Sequence, residues 1–307
     1  ANPPFLFGSG GIELLGKEMT SDLQALKRQA EDNPGQRVDL ISKGLSFGSI
    51  IFEDGALDLS DVRGVDHDLV VKPFGRKGEF PTVRAFDLEA VQFHFGMQPT
   101  ELIGENVDAD GDGVVNEFMP GDLSALHIFN TTLKRPVQEN RGETAEFGRE
   151  LFATVGCVNC HVPVLNTERR TLPFSFPEIT TDPFANEFFS IDLAAERPGF
   201  DLNADGGVAV PLFSDLRRHN LGEALTESFG KELDPWFITA RLWGIADTAP
   251  YMHDGRALTI RSAILLHGGE AQTVRDNFAD LSEADQDALI EYLRSLRTPL
   301  DATSDLE

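Results

Sequence analysis

Both cysteines of this 307-residue chain fall in one short run, Cys157-Val158-Asn159-Cys160-His161, which constrains the fold more than any other feature. C-x-x-C-H is the attachment pattern of a c-type haem. The two thiols add across the haem vinyl groups, and the histidine after them becomes the proximal iron ligand. A structural disulfide would not need His161 and would close too small a loop to stabilise much. A thioredoxin-like redox pair belongs after a strand of a βαβ unit, which this region lacks. A zinc site needs four ligands, and only three are local. One covalent haem c is therefore expected, anchored by Cys157 and Cys160 with His161 on the iron.

The length suits about two domains, and a hydrophobic content of 41% is enough for packed cores. No apolar run approaches the length of a bilayer span, so no membrane helix is expected. The chain begins at Ala1 rather than Met, which fits a mature or trimmed product. Covalent haem attachment takes place outside the cytoplasm, so the motif leads to a periplasmic or secreted location. The formal charge of −25 argues against nucleic acid, whose phosphates demand Lys and Arg. It leaves a solvated acidic surface, or one that steers a basic redox partner protein.

Along the chain, the expected fold is mainly α. A cytochrome c-like helical domain (141–300) surrounds the haem, follows a mixed helical and β-hairpin region (1–140), and ends in an acidic tail (301–307). Ile12, Leu14, Leu15, Met19, Leu23 and Leu26 recur at helical spacing up to the Asn33-Pro34-Gly35 stop. Gly44–Phe52 alternates like a strand, and Asp54-Gly55 is a hairpin signal. A second helix is expected over Val83–His94, and a linker over Pro136–Gly142. Thr144 is placed to cap a helix with Phe147, Leu151, Phe152 and Val155 on one face, ended by Gly156 just before Cys157. The proline- and glycine-bearing stretch Thr171–Gly207 reads as a long loop insertion. Ser282 and Asp285 open a last helix carrying Leu289, Ile290, Leu293 and Leu296, which Pro299 is expected to stop.

Asp108-Ala109-Asp110-Gly111-Asp112-Gly113 reproduces the first half of an EF-hand loop. Alternate carboxylates converge on a hard cation there, and the glycine allows the turn. Val114 would offer its carbonyl. Position twelve is Met119 rather than an acid, so Glu117 or Asp122 would have to close a shortened calcium site. Asp201–Gly206 is a weaker run of the same kind, with no distal acid.

The segment Trp243–Ala271, WGIADTAPYMHDGRALTIRSAILLHGGEA, resembles the C-terminal haem domain of the bacterial dihaem cytochrome c peroxidase/MauG superfamily. It is most similar to the di-haem oxidoreductase branch of peroxidases. Gly148-Arg149-Glu150-Leu151-Phe152 and Asp215-Leu216-Arg217-Arg218-His219 extend the resemblance. More loosely, so do Phe74-Gly75-Arg76-Lys77 and Phe95-Gly96-Met97, which look like an inter-haem region. The resemblance implies a distal iron ligand at or beside His267, with Met252 and His253 as rivals. Arg217, Arg218 and Arg256 are of the type that pairs with haem propionates. Trp236 and Trp243 are candidates for an electron path or for packing. His67 and His127 are read as histidines without a haem role.

Members of that superfamily carry two C-x-x-C-H motifs, and the earlier haem reacts with hydrogen peroxide. This chain has one motif. Its opening, Pro3-Pro4-Phe5-Leu6-Phe7-Gly8-Ser9-Gly10-Gly11-Ile12-Glu13, looks like the segment that follows the first attachment site. The first haem would be missing or supplied by a second haem-bearing chain, with His94 as a candidate neighbour, or the chain is a single-haem relative without peroxide chemistry. The reading is an exported, calcium-binding haem c oxidoreductase that passes electrons to a second haem. A non-catalytic electron carrier, or a subunit of a multi-haem assembly, is the alternative. No catalytic residue can be named from the sequence.

Overall fold

Helix α1 (Ser9–Asp32) organises the larger of two hydrophobic cores, as its helical spacing foretells. Ile12, Leu14, Leu15, Met19 and Leu23 are buried against Val38, Leu40, Phe47 and Ile50 of an antiparallel sheet. That sheet is β1 (Arg37–Ser42), β2 (Leu45–Glu53) and β3 (Ala56–Asp58) in sequential order. Strict burial alternation along β1 puts Val38, Leu40 and Ser42 inward. Asp54 and Gly55 both take positive φ between β2 and β3, the backbone a tight hairpin turn requires. The computed structural model describes residues 5–230 and 232–300, so the expected acidic tail and Pro3-Pro4 lie outside the described residues.

The polar side chains of α1 fasten the surrounding loops. Glu18 accepts from the amides of Glu168 and Arg169 and pairs with Lys43 at 2.7 Å. Gln24 donates to the Asp68 carbonyl, and Thr20 accepts from the Val71 amide. Helices α2 (Val83–Phe95), α3 (Thr100–Ile103) and α4 (Pro120–Thr131) follow. β4 (Val137–Gln138) forms where a linker was expected, and pairs with β14 (Leu296–Arg297) near the other end of the chain.

The expectation of a mainly α fold is overturned. About 35% of the chain is helical and 20% is strand, the latter in several small sheets, which makes the fold mixed α/β. Much of the discrepancy lies in the stretch read as a loop. β6 (Thr171–Ser175) pairs with β7 (Glu187–Asp192), while β5 (Leu165–Asn166), β9 (Val208–Val210) and β8 (Asp201–Leu202) form a sheet in that spatial order. Leu172, Phe174, Leu193, Phe200, Val208 and Val210 are buried in the α1 core. Prolines and glycines mark the turns between these short strands, and they mask the apolar positions that decide the structure. Two further antiparallel pairs complete the strands: β10 (Arg218–Asn220) with β13 (Trp236–Ile238), and between them the hairpin of β11 (Glu227–Phe229) with β12 (Glu232–Asp234).

The second core is smaller and mostly helical. α5 (Glu143–Val155) packs against α8 (Glu283–Leu293), with α6 (Ile260–Leu265) and α7 (Gln272–Ala279) alongside. Phe152, Val155, Phe213, Ile260, Phe278, Leu289 and Leu293 are buried in it. Ser282 caps α8 by accepting from the Asp285 amide. α8 stops at Leu293 ahead of β14, so Pro299 is not what ends it.

Candidate functional site

α5 delivers the two cysteines. Gly156 ends the helix at φ 104°, a left-handed value open to glycine, and turns the chain into a 3-10 turn over Cys157–Asn159. Thr144 lies inside the helix, and Gly142 holds the capping position instead. The His161 amide closes the turn by donating to the Cys157 carbonyl at 2.9 Å. Both thiols are half-buried and are not joined to each other. Burial pushes the Cys157 thiol up to about 12, which disfavours a reactive thiolate and suits an uncharged sulfur.

His161 and His267 are brought together with their ring planes inclined at 63°. Their ring centroids are 6.4 Å apart, close to the roughly 6.3 Å expected for two imidazoles on opposite sides of one metal with bonds of about 2.0–2.1 Å. His161 Nδ1 donates to the Phe213 carbonyl at 3.1 Å, and His267 Nδ1 donates to the Ala263 carbonyl at 2.9 Å. A carbonyl only accepts, so each contact fixes the proton on Nδ1 and leaves the Nε2 lone pair for a metal. Burial drives the His161 imidazole down to about 4, with His267 adding to the effect, and burial also lowers His267. In both rings burial favours the neutral form, the form that ligates a metal. Apolar Phe152, Val155 and Ile260, with Val158 and Val274 beside them, belong to the same core. Two thiols and two neighbouring imidazoles beside an apolar core are donors of the type a c-type haem takes, so the residues fit that group.

The rivals for the second ligand are engaged differently. His253 stacks on Phe237 at 4.8 Å and lies 3.4 Å from Glu227. Met252 takes φ 69° in the turn between Tyr251 and Gly255. Arg218 pairs with Asp66, Arg217 lies over the Phe47 ring, and exposed Arg256 pairs with Asp254. Trp243 is buried beside Phe200 in the α1 core, while Trp236 is 43% exposed. His94 and His67 are both exposed.

Two features escape sequence reasoning. One is a network beside the cysteines: His219 donates from Nε2 to Asp215 and from Nδ1 to Glu270, both at 2.9 Å, and groups with Cys160. Burial alone would lower the His219 imidazole, but Asp215, Cys160 and Glu270 together push it up to about 10. Spacing alone does not show which acids meet this histidine. The other is Arg241, whose NH1 donates to the Pro73 carbonyl at 3.0 Å. Burial lowers its guanidinium to about 10, and it forms no salt bridge with an acid among the described residues. No motif marks it.

At the acidic loop, Asp108, Asp110 and Asp112 bring carboxylate oxygens within 4.8 Å of one another on the exposed surface. Asp108 accepts from the Gly111 and Gly113 amides, and Asp112 accepts from the Val114 amide. Glu117 is not in that group; it accepts from the Gln98 amide, and its Oε1 is buried without a partner. Asp122 is spent on the start of α4, accepting from the Met119 amide. In the weaker run, Asn203 ties the β8–β9 turn together by donating to Thr167 and accepting from Asp205 and Gly207.

The fold brings a half-buried cysteine pair and two histidines into one region, a candidate haem site. Residues 190–296, about a third of the chain, match the model of a family described as "Di-haem oxidoreductase, putative peroxidase". The matched segment includes His219, Arg241, His267 and Glu270 and begins after the cysteine motif. It supports a peroxidase-like haem oxidoreductase as the class. No curated protein matches the chain. No helix among the described residues is long and apolar enough to cross a membrane.

Proposed function

We propose that this chain carries one haem c on Cys157 and Cys160, ligated by His161 and His267, and acts as the electron-transfer part of a peroxidase-like oxidoreductase. The observation that carries the reading is the pair of imidazoles, 6.4 Å apart, each with Nδ1 committed to a backbone carbonyl. When bound, the haem supplies a one-electron iron couple, with a lower potential under bis-histidine than under histidine–methionine ligation. The Phe213 and Ala263 carbonyls hold the two rings in orientation, and Phe152, Val155 and Ile260 keep water out. Arg241, a guanidinium without an acidic partner among the described residues, is the best anchor for a propionate. Arg217 would reach one only by leaving Phe47, and Arg218 only by leaving Asp66.

Were His161 and His267 both to hold the iron, a peroxide-reducing centre would have to lie on another stretch of polypeptide or on a partner chain. Such ligation also favours a second reading, a non-catalytic electron carrier. The covalent haem carries with it a periplasmic or secreted location. Calcium on Asp108, Asp110 and Asp112, completed by the Val114 carbonyl or by Glu117, would stiffen the loop between α3 and α4.

The test begins with a pyridine haemochrome assay and the intact mass of protein matured with haem-attachment machinery. One haem per chain is expected, lost as a covalent adduct in the Cys157→Ala, Cys160→Ala double variant. His267→Ala should keep the haem but turn a low-spin ferric spectrum high-spin. An unchanged spectrum in that variant, or no haem at all, would sink the assignment. Peroxide consumption with a reductant present separates the enzyme from the carrier.

A further inference from the structure

We propose that Glu13, His127 and Glu178 form a buried site for one divalent transition-metal ion, outside the cysteine motif and the acidic loop. They come from α1, from α4 and from the segment after β6, and their ligand atoms lie within 4.8 Å of one another. Glu13 Oε2 is 2.8 Å from His127 Nε2. Adjacent ligands on an ion with bonds of about 2.1 Å are separated by about 3 Å, so the pair needs little adjustment.

The site is built rather than incidental. Glu13 is wholly buried, and His127 is 2% exposed with its ring edge-on to Phe174. The Val83 amide donates to Glu13 Oε2, and Thr82 Oγ1 donates to Glu178 Oε2. Glu178 Oε1 and Ser175 Oγ are buried with no hydrogen-bond partner, and the buried Glu13 Oε1 has only the Lys17 ammonium, 3.4 Å away. Unpaired buried carboxylate oxygens are costly and call for a ligand.

Charge points the same way. Glu13, Asp87 and Glu178 gather here, yet Lys17 is the one lysine or arginine in ion-pair contact with any of them among the described residues. Lys17 stands 3.4 Å from Glu13 Oε1 and donates to the Pro173 carbonyl, which leaves Oε2 and His127 to the ion. Asp87 is held by Asn130, so Glu13 and Glu178 with the His127 imidazole are what the site offers a divalent cation, against the single Lys17 charge. One imidazole and two carboxylates suit zinc, manganese or ferrous iron. A cavity of about 20 Å³ lined by Lys17, Thr82, Ser175 and Glu178 lies on the Glu178 side of the site and extends to exposed Ile179 and Thr180.

Zinc is the probe. Protein stripped with a chelator, loaded with Zn²⁺ and desalted should retain one zinc per chain by elemental mass spectrometry, and its thermal midpoint should rise. Glu178→Gln keeps the side-chain size and an oxygen for Thr82, so it should fold, and its zinc affinity should drop by roughly 100-fold or more. His127→Gln should behave alike. No retained zinc in the native protein overturns the proposal. So does equal retention in native protein and Glu178→Gln, or zinc lost instead from an Asp108→Asn, Asp110→Asn variant.

Discussion

Gly148 shows how one residue sets a contact between helices. A Cβ there would lie 2.0 Å from the Ala288 carbonyl and 2.9 Å from Tyr292 Cβ, so the glycine lets α5 sit against α8. Gly148→Ala should destabilise the protein by about 1–3 kcal/mol, through overpacking that backbone atoms cannot relieve. Gly121, with nothing within 4 Å of the same position, is the control, and Gly121→Ala should be neutral or slightly stabilising. Urea denaturation of both variants checks the pair, and equal midpoints would refute the packing argument. At this scale the sequence was legible where chemistry is local. Cys157, Cys160 and His161 sit in one turn, so their spacing carries their role. The carbonyls of Phe213 and Ala263 are not legible, because a backbone acceptor leaves no trace in residue type. Nor is the pairing of Glu13 with His127 across 114 positions.

Among the elements, legibility follows period and length. α1, α2 and α8 are long enough for their apolar spacing to show, and the β2–β3 hairpin carries its turn residues in plain view. β6 to β9 are short and separated by proline-bearing turns, and only contact with the α1 core decides that they are strands. The α8 cap offers a test at this scale. Ser282 Oγ accepts from the Asp285 amide at 3.2 Å, so Ser282→Ala should cost about 1 kcal/mol, while Ser282→Asp should cost little. Chemical denaturation of the two variants distinguishes a lost cap from a general surface effect. Since α8 backs the helix that delivers Cys157, Ser282→Ala should also raise amide exchange in α5, the element it packs against.

At the scale of the whole molecule, electrostatics ties distant segments together and also strains the fold. Asp66, from the loop after β3, holds Lys72 at 2.7 Å and pairs with Arg218 of β10. Burial would raise the Asp66 carboxyl, but these two cations hold it below the usual range. A depressed carboxylate stabilises the fold above its unfolded pKa of about 3.9, and that contribution disappears as pH falls through the folded value. Asp66→Asn, at a partly exposed site, should cost no more than about 1 kcal/mol near neutral pH. The difference from native protein should shrink below about pH 4. The stronger influence is the net charge of −25, which makes the folded chain repel itself. Many of its ion pairs are exposed, and such pairs contribute little each, so screening them costs little. Screening the excess of like charge stabilises more, because it acts on every acidic neighbour within a Debye length of about 10 Å at 0.1 M salt. The thermal midpoint at pH 7 should therefore rise as sodium chloride goes from about 10 mM to about 0.5 M, with chelator present to remove divalent ions. A midpoint that falls instead would mean that the bridges, Asp66 with Lys72 and Arg218 foremost, outweigh the repulsion.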